Sequence, residues 1–305
     1  MDLSTPRRLT RVAFFSALGL TLTAAVLRTV AFLTVYDGLI GYFSADASAV
    51  TVLYRILAAI AVLAAAVCTR LIPADRTAAL RLSTGADPLA ILPLPALLLT
   101  AFYTLYSVYN NAATSNVLWM ICGVTALIGA VFFLLRLLGC GSRTGLIPTG
   151  LCILPAMILI IALTYGDATV TMNSPVKLAV QFAALGIMLA VVTELRFLSG
   201  IPAPRLAIVS LATATFLCLG GALPCLIARL AGSIPADRPE GQGLYLTFLL
   251  AATLYGLYAA AQLYRLCFRP QEPEPEPEPE SESEPTPESE PTEPQTPSSD
   301  ESAPL

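Results

Sequence analysis

The chain has 305 residues, of which 56% are hydrophobic and only 12% are charged, and its mean hydropathy is +0.73. A soluble domain of this length cannot bury so much apolar surface, so the composition excludes an ordinary soluble protein and favours one that spans a lipid bilayer. The sequence contains no histidine, which excludes bis-imidazole haem ligation, zincin-type zinc sites and histidine-based acid–base catalysis.

The charges divide the chain into two parts. Twelve of the 21 acidic residues follow Pro270, where no lysine or arginine occurs, so residues 1–269 contain 17 basic and nine acidic residues and have a net charge of +8. We predict a transmembrane helical domain over 1–269 and a disordered, Pro/Glu-rich cytoplasmic tail over 270–305, because glutamates repel one another and prolines prevent helix formation. Nucleic acid is not an expected partner, since nucleic-acid readers cluster basic residues on one soluble face.

Eight apolar stretches follow one another, each near the ~20 residues that a helix needs to cross the bilayer core. The first follows Arg7, Arg8 and Arg11 and predicts an uncleaved anchor; a cleaved signal peptide is the less favoured alternative because no small-x-small site is evident. The predicted spans are 12–36, 49–68, 89–109, 117–138, 146–165, 176–196, 206–228 and 243–266. The sequence thus predicts an all-α, polytopic bundle of about eight transmembrane helices in contact with lipid.

The basic residues predict the orientation of this bundle. If the N-terminus is cytoplasmic, twelve arginines lie at that side and only Lys177, Arg229 and Arg238 lie at the other, which matches the positive-inside rule. Both termini are therefore predicted to be cytoplasmic, in a multi-pass protein of the plasma membrane. Aromatic residues collect at the predicted outer ends, as an interfacial belt does.

Short similarities relate the first four spans to the last four. Tyr36-Asp37-Gly38 follows the first span and Tyr165-Gly166-Asp167 follows the fifth, while the same Leu-Ala-Ile opens the third and seventh spans. A parallel 4+4 repeat is one interpretation, and chance matches between apolar sequences are the other.

Three cations, Arg28, Arg55 and Lys177, are predicted to lie in the outer third of the membrane. A charge at the centre of the bilayer costs ~2.5–3.5 kcal/mol on insertion scales, so each of them needs a partner. Ser174 is a predicted N-cap and Pro175 fits the first turn of the sixth span, which places free backbone amides beside the Lys177 ammonium. Amides and ammonium together could bind an anion.

These residues suggest an outward-facing pocket for a small anionic or amphipathic ligand. Its predicted members are Arg28, Arg55, Lys177, Gln181, one turn beyond Lys177, and Tyr106, at the outer level of the third span. In the alternative interpretation, the cations reach lipid phosphates or pair with outer aspartates, and the tyrosine belongs to the interfacial belt.

Glu194 is the only carboxylate within a predicted span, close to the cytoplasmic edge. We expect it to pair with Arg196 or Arg205, and a role in proton coupling is the functional alternative. Prolines and glycines interrupt the third, fifth and seventh spans, which indicates either tolerated kinks or the broken helices of transporters.

The sequence contains no nucleotide-binding loop, metal-ligand cluster or catalytic set, so it predicts no cofactor and does not favour an enzyme. Two classes of function remain. One is small-solute binding or transport from the outer side. The other is a non-transport membrane scaffold or regulator whose acidic tail binds a basic protein partner.

Overall fold

The computed structural model describes residues 5–38, 40–44, 48–71, 86–110, 116–201, 203–235, 237 and 243–268. The predicted tail, 270–305, lies outside these described residues, so its predicted disorder stays a prediction. The described part of the chain is helical apart from one short β-hairpin, in which β1 (Tyr36–Asp37) pairs antiparallel with β2 (Tyr42–Phe43).

Ten α-helices occur in the described residues. They are α1 (Thr5–Thr34), α2 (Ser48–Leu71), α3 (Pro93–Tyr109), α4 (Asn116–Leu138), α5 (Arg143–Leu151), α6 (Ile153–Gly166), α7 (Pro175–Leu198), α8 (Pro204–Thr215), α9 (Leu223–Leu230) and α10 (Gly243–Phe268). A short 3₁₀ helix, Pro88–Ile91, precedes α3, and a π-helical segment, Phe216–Ala222, joins α8 to α9.

Seven helical segments of the described chain are long and apolar enough to cross a membrane, and the protein is therefore an all-α membrane protein. They are Thr10–Thr34, Pro88–Tyr109, Val117–Leu138, Thr144–Gly166, Pro175–Leu198, Pro204–Leu230 and Gly243–Phe268. The second predicted span corresponds to α2, a helix of 24 residues whose apolar part over described side chains, Ala49–Ala61, is shorter. The count of eight spans depends on α2 and stays a prediction.

Two of the crossing segments are interrupted where the sequence places proline. The fifth predicted span divides into α5 and α6 at Cys152, because Pro155 has no N–H to donate to the carbonyl of Leu151. The seventh contains the π-helical segment, in which the Leu223 amide donates to the carbonyl of Cys218, five residues back. Pro224 follows directly and leaves the Gly220 carbonyl without its usual helical donor.

Three spans form the centre of the bundle. Within an apolar stretch of 18 residues in each span, 61–72% of the residues are buried in α7, α10 and the broken span from α8 to α9, against 33–39% in the other four. The central α10 packs on α1, α3, α7 and the broken span, while α1 pairs with α2 and α3 pairs with α4. A Cβ added to Gly256 would lie 2.8 Å from the Cβ of Cys218, so this glycine lets α10 approach the π-helical segment closely. The proposed 4+4 repeat stays a prediction.

The bundle has two ends, which are named here by their landmarks. The hairpin end carries β1 and β2 and includes the end of α1 and the beginnings of α2 and α7. The far end includes the beginning of α1 and the end of α10, where the Thr10 hydroxyl donates to the carbonyl of Cys267 at 3.5 Å. Each group of candidate functional residues described below lies close to one of these ends.

Candidate functional site

The first turn of α7 lies at the hairpin end. The helix begins at Pro175, as the sequence predicts, and Ser174 occupies the N-cap position. The expected capping bond is absent, however, since the Ser174 hydroxyl makes no hydrogen bond to the amides of the first turn. Its oxygen is buried without a hydrogen-bond partner among the described residues.

Lys177, also in the first turn of α7, is buried with 1% of its surface exposed. Its Nζ donates to the backbone carbonyls of Asp167, at 3.0 Å, and Val170, at 3.4 Å. Within the described chain it forms no ion pair, and the carboxylate of Asp167 instead accepts hydrogen bonds from Tyr245 and Thr169. The ammonium therefore fixes the loop between α6 and α7 through carbonyl dipoles.

Arg28 of α1 reaches the same turn of α7 from a different helix. Its Nη2 donates to the Pro175 carbonyl at 3.1 Å, and its guanidinium carbon lies 4.5 Å from the ring centroid of Tyr54 and 5.7 Å from that of Phe32. No described carboxylate lies within ion-pair distance, and the Nε atom is buried without a partner. Aromatic faces and one carbonyl stabilise this cation, and part of its donor capacity is unused.

A cleft opens beside Arg28 between α1, α2 and β2. The cleft is shallow and open to the surroundings, and its cavity volume is about 10 Å³, the space of roughly one water molecule. Its walls are Arg28, Ala31, Phe43, Val50, Thr51 and Tyr54. The cleft thus combines one guanidinium with apolar and aromatic surface.

The remaining predicted site residues lie apart from this cleft. Gln181 is half-buried, and its side-chain nitrogen has no partner among the described residues. Arg55 is exposed on α2 and is not part of the cleft wall. Tyr106 is 65% exposed on α3, a helix that packs on α4 and α10. The structure therefore brings Arg28 to the turn that holds Lys177, and no described contact joins Arg55 or Tyr106 to them.

A second group of charges lies at the far end, in the interior. Arg136 of α4 is 2% exposed, and its Nη2 lies 3.1 Å from Glu194 of α7 and 3.4 Å from Asp87, which precedes α3. Asp87 also pairs with Arg265 of α10 at 2.5 Å. The charges of two arginines and two carboxylates, which come from four helical segments, thus balance one another. We call these four residues, together with Tyr258 and Gln262, the far-end network.

Tyr258 and Gln262 complete the far-end network from α10. The Tyr258 hydroxyl donates to Oε1 of Glu194 at 2.5 Å, and the Gln262 side chain donates to Oδ2 of Asp87. Asp87 also caps the 3₁₀ helix, since Oδ1 accepts from the Leu89 amide at 3.1 Å. The polar groups of these buried side chains are mostly paired, as a low-dielectric interior requires.

The expected partner of Glu194 is corrected by these contacts. Glu194 is 4% exposed and pairs with Arg136 instead of Arg196, which is exposed, and no described ion pair joins it to Arg205, the other predicted partner. The reason is helical geometry, because residues two apart lie about 200° apart around a helix and cannot share a face. Glu194 is therefore an interior group and not only a boundary residue.

Sequence reasoning missed the other members of the far-end network. One signal was available: Tyr258, Gln262 and Arg265 recur at helical spacing on one face of an otherwise apolar span. A second was the Asp87-Pro88 pair, a typical helix start. Neither signal identifies the partner helix.

No three His, Cys, Asp or Glu side chains in the described residues are grouped so that they could hold a metal ion. No family model, curated protein or solved structure matches this chain.

Proposed function

We propose that this membrane protein binds a small anionic or amphipathic solute at the hairpin end, through Arg28, and carries it across the bilayer. The observation on which this rests is a half-buried guanidinium inside a membrane span that has no described carboxylate partner and lies beside an open cleft. In the proposed orientation the hairpin end faces outward, both termini are cytoplasmic, and the membrane is the plasma membrane.

The chemistry of the cleft favours an anion with an apolar portion. A guanidinium binds carboxylate and phosphate groups by charge-assisted hydrogen bonds, and the buried Nε of Arg28 has no partner among the described residues, so the guanidinium has a donor to offer a ligand if the side chain turns towards the cleft. An anion there would also offset part of the cost of holding a cation within the membrane. The apolar and aromatic walls, among them Phe43 and Tyr54, would contact the rest of the solute.

The helix interruptions support movement of the solute and not binding alone. The π-helical segment packs against α1, and a Cβ added to Gly221 would lie 3.6 Å from the hydroxyl of Tyr54, a residue of the cleft wall. Interrupted helices often form the binding sites of transporters, and π-helical segments are frequent at functional sites. A site beside such a segment can change shape without breaking a continuous helix.

The other candidate residues have subordinate places in this proposal. Lys177 shapes the site by fixing the loop that precedes α7. Gln181 offers a buried, unused amide donor one turn further along α7. The exposed Arg55 and Tyr106 are proposed to meet the solute only on its way to the cleft.

Thermal unfolding of the purified full-length protein tests the site. Octanoate, succinate and inorganic phosphate would each be titrated against the wild type, Arg28→Gln and a control, Arg11→Gln, which alters an exposed arginine of the same helix. We expect an anion to raise the Tm of the wild type and the control, and to bind Arg28→Gln about 10- to 100-fold more weakly. Equal binding by the wild type and Arg28→Gln would contradict the proposal, and uptake of the same anion into proteoliposomes tests transport.

The alternative function, a scaffold or regulator, rests on the tail and its twelve acidic residues. A basic protein partner is the expected ligand of such a tail. Deleting residues 271–305 separates the two functions, because a carrier keeps its uptake without the tail, whereas a scaffold loses its partner in a pull-down.

A further inference from the structure

The two carboxylates of the far-end network, Asp87 and Glu194, differ in the number of hydrogen bonds that they accept. Asp87 receives two donors on each oxygen: Arg265 and the Leu89 amide on Oδ1, and Arg136 and Gln262 on Oδ2. Glu194 accepts one hydrogen bond, from Tyr258, and forms an ion pair with Arg136, and both contacts are on Oε1. No described residue donates to Oε2 of Glu194, so this carboxylate has unused acceptor capacity, whereas both oxygens of Asp87 are fully used.

The surroundings of Glu194 hold few other charges. It faces Arg136 of α4, Tyr255 and Tyr258 of α10, and Asp87, which shares the guanidinium. The neighbouring residue Thr193 bonds to Ser210 of α8 at 2.8 Å. Among the other elements that pack on α7, α8 contains Arg205, the π-helical segment contains Cys218, and the described side chains of α5 and α6 include no charged residue. None of the described carboxylates besides Asp87 belongs to this set.

We infer that Oε2 of Glu194 is a proton-binding site, and that binding a proton there releases α7 from α4. The proton comes from water at the far end, where the Arg265 side chain is 31% exposed, and it returns there when Glu194 ionises again. Of the two buried carboxylates Glu194 takes the proton, because its anionic form is stabilised by one hydrogen bond and one ion pair, whereas that of Asp87 accepts four hydrogen bonds. This site is distinct from the cleft at the hairpin end and requires no solute.

Protonation of Glu194 affects only the contact between α7 and α4, because the other ion pairs and hydrogen bonds of the far-end network join different elements. Asp87, Arg136, Gln262 and Arg265 tie the start of α3 to α4 and α10, and these contacts do not involve Glu194. The pair of Glu194 with Arg136 ties α7 to α4. A neutral Glu194 removes the charge from that one pair and leaves Arg136 with Asp87, so α7 loosens while the other three elements stay joined.

Infrared spectroscopy of the full-length protein in lipid, without any added solute, tests the proton site. Lowering the pH should produce the carbonyl stretching band of a protonated carboxyl group in the wild type, and Glu194→Gln should lack that component. The tail glutamates contribute equally to both spectra and cancel in their difference. Glu194→Asp, the conservative variant, and Arg196→Gln, which alters an exposed charge on the same helix, should retain the band.

Hydrogen exchange tests the release of α7. Glu194→Gln has the shape and neutrality of a protonated glutamate, so at neutral pH its amides in the last three turns of α7 should exchange about tenfold faster than those of the wild type. Lowering the pH should bring the wild type to the same protection factors, after correction for the intrinsic exchange rate. Identical infrared titrations in the wild type and Glu194→Gln, or unchanged protection of α7 in the variant, would overturn the inference. If Glu194→Gln fails to fold, Glu194→Asp replaces it: its carbonyl band should appear at a different pH from that of the wild type, and a band at the same pH would overturn the inference. The outcome is independent of whether any anion binds at Arg28.

Discussion

The two ends of the bundle stabilise buried cations in opposite ways. At the hairpin end, Lys177 and Arg28 are held by backbone carbonyls and aromatic faces, with no described carboxylate in ion-pair distance. At the far end, Arg136 and Arg265 face Asp87 and Glu194, and the charges sum to zero. The first arrangement leaves the positive charge available to a ligand, whereas the second neutralises it inside the protein.

Because the two ends hold their cations differently, loss of a cation should affect stability differently at each end. A cation held by carbonyls can be removed without leaving a charge behind, because carbonyls are neutral. A cation held by carboxylates cannot, because its removal leaves uncompensated anions in a low-dielectric interior. Substitutions of similar size should therefore have larger effects at the far end than at the hairpin end, and the following predictions test this order.

The largest effect is expected for Arg136→Gln. This change leaves the buried Asp87 and Glu194 without their shared cation, so the free energy of unfolding should fall by about 3–5 kcal/mol. Denaturant titration of the purified protein in micelles measures this. In a double-mutant cycle, Glu194→Gln should recover part of the loss, because it removes one of the stranded charges. A loss below about 1 kcal/mol in Arg136→Gln would show that the far-end network contributes little.

The sequence predicts the positions of the membrane spans better than it predicts the contacts of the far-end network. Hydropathy and length locate the seven crossing segments, and the Ser174-Pro175 pair gives the first residue of α7. The network, in contrast, joins residues 49 to 178 positions apart. Helical periodicity shows which face of α10 is polar but not which helix packs against that face. The sequence alone therefore does not reveal the partners of Asp87 and Arg136.

At the hairpin end, the sequence predicts Arg28 and Lys177 at one level of the membrane but does not predict the groups that contact them. Arg28 and Lys177 both contact residues near the start of α7, as their predicted depth implies. Their partners are main-chain carbonyls of Pro175, Asp167 and Val170, and carbonyls are the same in every sequence. A pattern of side chains therefore cannot reveal them, and the unused Ser174 hydroxyl shows that a capping residue does not guarantee a capping bond.

A smaller effect is expected for Tyr258→Phe. The change removes the hydroxyl that donates to Glu194 at 2.5 Å and keeps the aromatic ring, which packs edge-on against Phe133. Hydrogen bonds to charged groups contribute about 1.5–3 kcal/mol, so the same titration should show a loss in that range. The exposed Tyr264 of α10 supplies the control, and Tyr264→Phe should change stability by less than about 0.5 kcal/mol. Equal effects of the two changes would contradict the role given to the hydroxyl.

Lys177→Met is expected to cost less than either change at the far end. It leaves the carbonyls of Asp167 and Val170 without a donor but removes a buried charge, so the net loss should be about 1–2 kcal/mol. The structural effect should be local, with faster hydrogen exchange in the loop between α6 and α7 and little change at the far end. If Lys177→Met lowered the free energy of unfolding as much as Arg136→Gln does, the proposed difference between the two ends would be wrong, since Lys177 would then neutralise an anion.

Tyr255→Phe should have the smallest effect, although Tyr255 lies one turn from Tyr258 and is equally buried. The Tyr255 hydroxyl has no hydrogen-bond partner among the described residues, and a buried hydroxyl without a partner is itself a cost. Removing the oxygen while keeping the ring should leave stability unchanged or raise it by up to about 1 kcal/mol. A loss above about 1 kcal/mol in the same titration would show that this hydroxyl has a partner, such as a buried water that extends the far-end network towards the centre of the membrane. The comparison of Tyr255→Phe with Tyr258→Phe therefore locates the inner limit of the network to within one helical turn.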